Sequence, residues 1–338
     1  MAKSVAATPA LPRAAATFQT SVCWLIILAA GVPLRAADSP TRPRITGISH
    51  IALYAHDLER SRAFYKEFLG FDEPFSLTNS TGGLLLTWIK INNRQTIELF
   101  PEKEAGADRL NHIALETEDA EGLRKYLATR EVAVPEKTVK GRIGNLNFNV
   151  TDPDGHTVEM VQYLPDGWTL RERDKFLPDT RISTHLTHVG ILVGNLDAAL
   201  HFYRDILGGQ ETWRGGGNPR RLSWVNVKVP EGDDYIEFML YSDLPEPGKR
   251  GTQHHLCLGV PEVEKAKTLL ESRAARINYA RPLQIATGVN RKRQLNVWDP
   301  DGTRVELMEP HTVDGLPAPS STALPPAAGG SDGAGLSP

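Results

Sequence analysis

Cysteine is nearly absent. The 338-residue chain has two, Cys23 and Cys257, which excludes a disulfide-stapled fold and a zinc site built from several cysteines. Long basic runs are also missing and the net charge is −3, against a nucleic-acid partner. Long apolar runs are missing except for SVCWLIILAAGV, residues 21–32. That run is short of the roughly 20 residues a spanning helix needs. It follows Lys3 and Arg13, no acid precedes Asp38, and the small residues Ala36 and Ala37 come after it. This is the pattern of a signal peptide over 1–37. It predicts export to the periplasm or outside the cell, no stable membrane span after processing, and Cys257 as the one remaining thiol.

What the chain has in quantity is self-similarity. SHIALYAHDLERSRAFYKEFLG begins at Ser49, and THVGILVGNLDAALHFYRDILG begins at Thr187. Looser copies begin with NHIALETEDAEGLRKYL at Asn111 and HHLCLGVPEVEKAKTLL at His254. Those two end in D-P-D-G-x-x-V-E, at Asp152 and Asp299. Each copy reads as an apolar strand opening on His, an N-capped amphipathic helix, and three short strands. Asp57 and Asn195 are the N-cap candidates, and Gly70 and Gly208 end their helices as C-caps. D-P-D-G suits a type I turn before the last strand.

The fold class is therefore α+β, with four βαβββ modules. Modules 45–105 and 106–165 make one barrel; modules 184–246 and 247–311 make a second. Residues 166–183 read as a linker. Residues 312–338, rich in Pro, Ala, Gly and Ser, read as a disordered tail. Pairing of neighbouring modules is the simplest arrangement; one with four and two with three stays open.

Every module carries the same two chemical residues. The first strands bring His50, His112, His188 and His255; the last bring Glu98, Glu159, Glu237 and Glu306. The His-to-Glu gaps are 48, 47, 49 and 51 residues. A single strand His is ordinarily core, and a single Glu after a turn is ordinarily solvated. Eight such coincidences in four diverged modules point instead to metal ligands, two imidazoles and two carboxylates per pair. That set suits a divalent ion: Fe, Ni, Zn, Co or Mn. Cys257 shares a strand face with His255 and is either small core filling or a neighbour of the metal. The basic loops WRGGGNPRR (213–221), NRKR (290–293) and KGR (140–142) are candidate receivers of an anionic substrate.

The four modules resemble the vicinal oxygen chelate superfamily over about residues 45–311. That superfamily includes glyoxalase I, bleomycin-resistance proteins, methylmalonyl-CoA epimerase and type I extradiol dioxygenases. The motifs that carry the likeness are SHIAL, FYKEFLG and TIELF; NHIAL and DPDGHTVEM; THVGILV, FYRDILG and YIEFM; HHLCL and DPDGTRVELM. The resemblance implies that paired modules form open eight-stranded barrels, each holding a metal that chelates two neighbouring oxygens of a small-molecule substrate. His50, Glu98, His112 and Glu159 match the ligand order of bacterial glyoxalase I, as do His188, Glu237, His255 and Glu306. A lyase or isomerase acting through a metal-chelated enediolate is then expected, with Glu98, Glu159, Glu237 or Glu306 moving the proton. Tyr54 and Glu102 stand where the glutathione-gripping Arg and an Asn of that enzyme would be, so the chemistry carries over and the substrate does not. An extradiol dioxygenase is the alternative, with His188, His255 and Glu306 as its iron set; Asn149 and Asn296 stand where its signature has Tyr. A non-catalytic small-molecule binder of the resistance type is the third reading.

Overall fold

A computed structural model of the chain describes residues 40–326. The expected signal peptide lies outside the described residues. Among the described residues, no helix is long and apolar enough to cross a membrane.

The first sheet contains β1 (Ile45–Ala55), β2 (Asp72–Thr78), β3 (Leu84–Lys90), β4 (Thr96–Pro101), β5 (Leu110–Thr117), β6 (Val139–Lys140), β7 (Leu146–Thr151) and β8 (Thr157–Gln162). Its spatial order is β2-β3-β4-β1-β5-β8-β7-β6. The second contains β9 (Leu186–Val193), β10 (Gln210–Gly215), β11 (Trp224–Lys228), β12 (Tyr235–Leu240), β13 (His255–Gly259), β14 (Ile285–Thr287), β15 (Lys292–Trp298) and β16 (Arg304–Thr312). Its order, β10-β11-β12-β9-β13-β16-β15-β14, repeats the first. Modules therefore pair one with two and three with four, through antiparallel contacts of β1 with β5 and β9 with β13. The result is two open eight-stranded barrels of βαβββ modules.

Local chemistry explains the elements. Asp57 and Asn195 cap their helices by accepting from the backbone N–H of Arg60 (3.1 Å) and Ala198 (3.0 Å). Phe64, Tyr65, Phe68 and Leu69 all pack into the core. The helix widens to π geometry over Phe64–Phe68, which spacing in the sequence does not show. Gly70 and Gly208 adopt φ of 80° and 83°, left-handed positions that favour glycine.

The two D-P-D-G boxes are four-residue turns, closed by Gly155 N–H to the Asp152 carbonyl (3.1 Å) and Gly302 N–H to the Asp299 carbonyl (3.0 Å). Their carboxylates face the other barrel. Tyr203 O–H donates to Asp152 Oδ2 (2.9 Å) and Tyr65 O–H to Asp299 Oδ2 (3.4 Å). Asp154 accepts from Gly194 N–H (3.2 Å) and Asp301 from His56 N–H (2.7 Å). The turn of module two thus grips module three, and the turn of module four grips module one. The FY and DPDG motifs recur because they are the two halves of the joint between barrels.

Two segments do more than the sequence suggested. The connector 166–183 folds a short helix at Trp168–Arg171 and buries Trp168. The tail expected to be disordered from 312 is ordered against the second barrel through 326. Ser321 N–H donates to the Arg214 carbonyl (2.8 Å), and Leu222 N–H donates to the Leu324 carbonyl (3.0 Å). The first of these contacts is on β10, an edge strand whose free backbone groups favour such a cover.

Candidate metal centres

Register places the eight residues. Side chains two apart on a strand share a face, and cross-strand partners lie side by side. In the first barrel one row is His50–Ala114–Glu159, across β1, β5 and β8. The next row on the same face is Glu98–Ala52–His112, across β4, β1 and β5. The second barrel repeats this as His188–Cys257–Glu306 and Glu237–Gly190–His255. All eight expected residues are therefore brought together, four in each barrel.

In the first barrel His50 Nε2 lies 2.8 Å from His112 Nε2, 3.0 Å from Glu159 Oε2 and 3.5 Å from Glu98 Oε1. His112 Nε2 is 3.1 Å from the same Glu159 oxygen. Trp88 Nε1–H donates to Glu98 Oε1 (2.6 Å) and fixes that carboxylate.

The protonation of the two imidazoles follows from their outer partners. The Arg94 carbonyl can only accept, so Tyr163 donates to it. Tyr163 oxygen then accepts from Ser49 Oγ–H (2.6 Å), and Ser49 Oγ accepts from His50 Nδ1–H (2.9 Å). His112 Nδ1–H is accepted by Asn111 Oδ1 (2.9 Å). Both rings therefore carry their proton on Nδ1 and aim the Nε2 lone pair at Glu98 and Glu159. Four electron-pair donors converging on one point repel each other unless a cation sits among them. The donor set and its outer hydrogen bonds fit a divalent metal. Burial pulls the His50 pKa down, yet Glu98 and Glu159 outweigh it and the net shift is up. Burial pushes the Glu159 carboxyl up, and hydrogen bonds from His112 and His50 reverse this, leaving it far below the usual carboxylate range.

The four residues form the floor of a cavity of about 210 Å³. Its apolar wall includes Leu77, Leu86, Phe100 and Trp168; Arg142, Asn145 and Asn147 give it a polar side. The connector between barrels thus closes the first barrel's pocket. Of the three basic loops, KGR contributes Arg142 here. Ser49, Trp88, Arg94, Tyr163 and Trp168 were missed by sequence reasoning. Only Ser49, adjacent to His50, left any local signal.

The second centre has the same residues in different circumstances. His188 Nε2 is 3.2 Å from His255 Nε2 and 3.3 Å from Glu306 Oε2; His255 Nε2 is 3.4 Å from Glu237 Oε1. Every one of these side chains is at least nine-tenths buried, as is Cys257. Arg304 donates to His255 Nδ1 (3.0 Å). Burial and the Arg304 charge both hold His255 well below the usual imidazole range. His188 Nδ1 is buried with no hydrogen-bond partner among the described residues. Tyr235 covers the His188 ring at 4.6 Å between centroids. A cavity at this barrel's mouth reaches Tyr235 and Lys292, not the His and Glu side chains, and residues 310–312 and 315–318 line it.

Comparison with known proteins agrees with this architecture. The sequence model described as Glyoxalase/Bleomycin resistance protein/Dioxygenase superfamily matches residues 47–160 and again 185–307. No curated protein matches the chain. Among solved structures, the Mn(II)-bound glyoxalase from Novosphingobium aromaticivorans is similar at a TM-score of 0.61 and 14% identity, covering 85% of this chain and 88% of that one. The 2,3-dioxygenase LapB from Pseudomonas sp. KL28 is similar at 0.61 and 16%, covering 85% and 99%. An extradiol ring-cleaving dioxygenase from B. fuscum is similar at 0.59 and 18%, covering 85% and 78%. At these identities the likeness shows the fold. With two family matches, one on each barrel, and the repeated βαβββ pairing, the chain belongs to the glyoxalase/bleomycin resistance protein/dioxygenase superfamily.

Proposed function

We propose that the first barrel is the active site of an exported, metal-dependent lyase or isomerase. It takes a small substrate with two neighbouring oxygens and moves a proton at the carbon beside a carbonyl. The observation that carries this reading is the pair of imidazoles held with both Nε2 lone pairs toward one point at the floor of a cavity.

His50, His112, Glu98 and Glu159 would hold the ion. A divalent metal there supplies Lewis-acid polarisation of the substrate oxygens. The protein's own residues do the rest. Glu159 lies within 3.1 Å of both imidazoles, so it anchors the site. Glu98 lies farther from His50, at 3.5 Å, and its carboxylate is aimed by Trp88 N–H. Glu98 is therefore the base that takes the proton and returns it. Leu77, Leu86 and Phe100 exclude water around the reacting carbon. Arg142, with no hydrogen bond or ion pair among the described residues, faces the cavity as a receiver for an anionic group on the substrate.

The test is deuterium uptake from heavy water into small hydroxy-carbonyl compounds by the metal-loaded protein. Exchange next to the carbonyl is expected, lost in Glu98→Gln with metal retained. A second reading has its own support: the ligand atoms of His50, Glu98 and His112 lie within 4.8 Å of one another, a two-histidine, one-carboxylate set suited to ferrous iron. Oxygen consumption with catechols and no exchange would establish that dioxygenase reading and end the first.

A further inference from the structure

The rows of side chains differ between barrels at their middle positions. Ala114 stands between His50 and Glu159 in the first; Cys257 stands between His188 and Glu306 in the second. The sulfur therefore lies on the same face as both, one strand from each. The ligand atoms of His188, Cys257 and Glu306 are within 4.8 Å of one another, as are those of His188, Glu237 and His255, so the tautomer of His255 decides between the two sets. The other row is altered in the opposite sense. Arg304 has only N–H donors, so His255 Nδ1 must accept, and the neutral ring carries its proton on Nε2. That nitrogen has no lone pair to offer a metal. Gly190 permits this pose, since a Cβ at that position would overlap the His255 ring.

We propose that the second barrel binds a thiophilic divalent ion, zinc by preference, through His188, the Cys257 thiolate and Glu306, with Glu237 as fourth ligand and His255 excluded. Binding replaces the thiol proton, which leaves to solvent, with a sulfur–metal bond. Two observations besides the cysteine support a ligand here. Asn226 is cross-strand from Glu237, 7% exposed, and its Oδ1 has no partner among the described residues. Lys292 and Arg304 act on the charge of Glu306, so a cation held there needs the thiolate's further negative charge. All four side chains are at least nine-tenths buried, and none of them lines the mouth cavity that reaches Asn226 and Lys292, as suits a structural rather than a catalytic zinc site. A mixed nitrogen, sulfur and oxygen set in tetrahedral array suits zinc.

The experiment is a cobalt(II) titration of the full chain carrying Cys23→Ser, after chelator treatment. Cys257 is then the only thiol, so a thiolate-to-cobalt charge-transfer band reports it alone. The expected result is a band saturating at about one equivalent and surviving His50→Ala. Two cobalt ions per chain with no such band would give the second site to His255 and overturn the proposal. One cobalt, without the band and lost in His50→Ala, would also overturn it while leaving the first-barrel reading intact. No cobalt at all would overturn both.

Discussion

The two barrels carry the same four ligand types on the same strands, in the same register, and differ in what stands behind them. His50 has Ser49, Tyr163 and the Arg94 carbonyl behind its Nδ1. His188 has no hydrogen-bond partner on its Nδ1 among the described residues. The reason is readable in paired positions: Thr187 replaces Ser49, and Pro310 replaces Tyr163 four residues after the last-strand glutamate. A proline offers no hydroxyl, so the relay ends. His112 donates to Asn111, whereas His255 accepts from Arg304. Side-chain identity at these positions is shared by both barrels, and the hydrogen bond on the far nitrogen, which sets the tautomer of the near one, is not.

The strongest way to break the comparison is to remove one histidine from each barrel. His50→Ala is expected to abolish activity, by about a thousandfold or more, with loss of the first-barrel metal. His188→Ala should leave turnover within a few-fold in whatever protein remains folded. Equal losses, measured as turnover per folded protein, would make the centres equivalent.

The two turns at the joint between barrels differ in one residue. The turn DPDGH puts His156 Nδ1 at 2.8 Å from Asp152. Burial pushes Asp152 up, but His156 outweighs it and the carboxyl stays below its usual value. The turn DPDGT has Thr303 instead, and burial raises Asp299 to about 7. A raised acid favours the folded state while protonated. Its contribution is full below the unfolded value of 3.8 and is lost as pH rises through about 7. At about 1.4 kcal/mol per unit, the wild type should lose about 3 kcal/mol between pH 5 and 8 relative to Asp299→Asn in denaturant melts. Asp152→Asn should differ from wild type in the opposite window, since a depressed acid stabilises above its unfolded value and fails as pH falls. Parallel curves for wild type and Asp299→Asn would contradict this account.

Gly190→Ala should cost about 1–3 kcal/mol by forcing the His255 ring aside. Ala52, its counterpart, already carries that methyl group beside His112. Thermal melts of Gly190→Ala and wild type check it, and an unchanged midpoint would mean that the ring has other room. The smallest expected effect is outside the ligand set. Tyr163→Phe breaks the proton relay and should weaken first-barrel metal affinity about 10- to 100-fold, read by competition with a chelator. Thr187→Val should leave that affinity unchanged.

Much of this was legible in the sequence. The His-to-Glu spacing fixed the eight side chains because a strand's two-residue period and a four-fold repeat leave little freedom. The N-caps at Asp57 and Asn195, and the turns at Asp152 and Asp299, depend on neighbours within four residues and were readable for that reason. The relay was not: Ser49, Arg94 and Tyr163 come from three separate strands or strand ends and meet only when modules pair. Trp168 lies in what read as a linker, and its role depends on a pocket the sequence does not draw. The different fates of His112 and His255 rest on Asn111 and Arg304, whose contacts no spacing rule supplies. Nor could the DPDG boxes reveal their grip on Tyr65 and Tyr203, one barrel away.

The most direct measurement is an anomalous-difference map from crystals of the metal-loaded full chain. The account predicts a peak in the first barrel coordinated by His50 Nε2, His112 Nε2, Glu98 and Glu159. Full occupancy by metal in solution with no peak among those four side chains would contradict it.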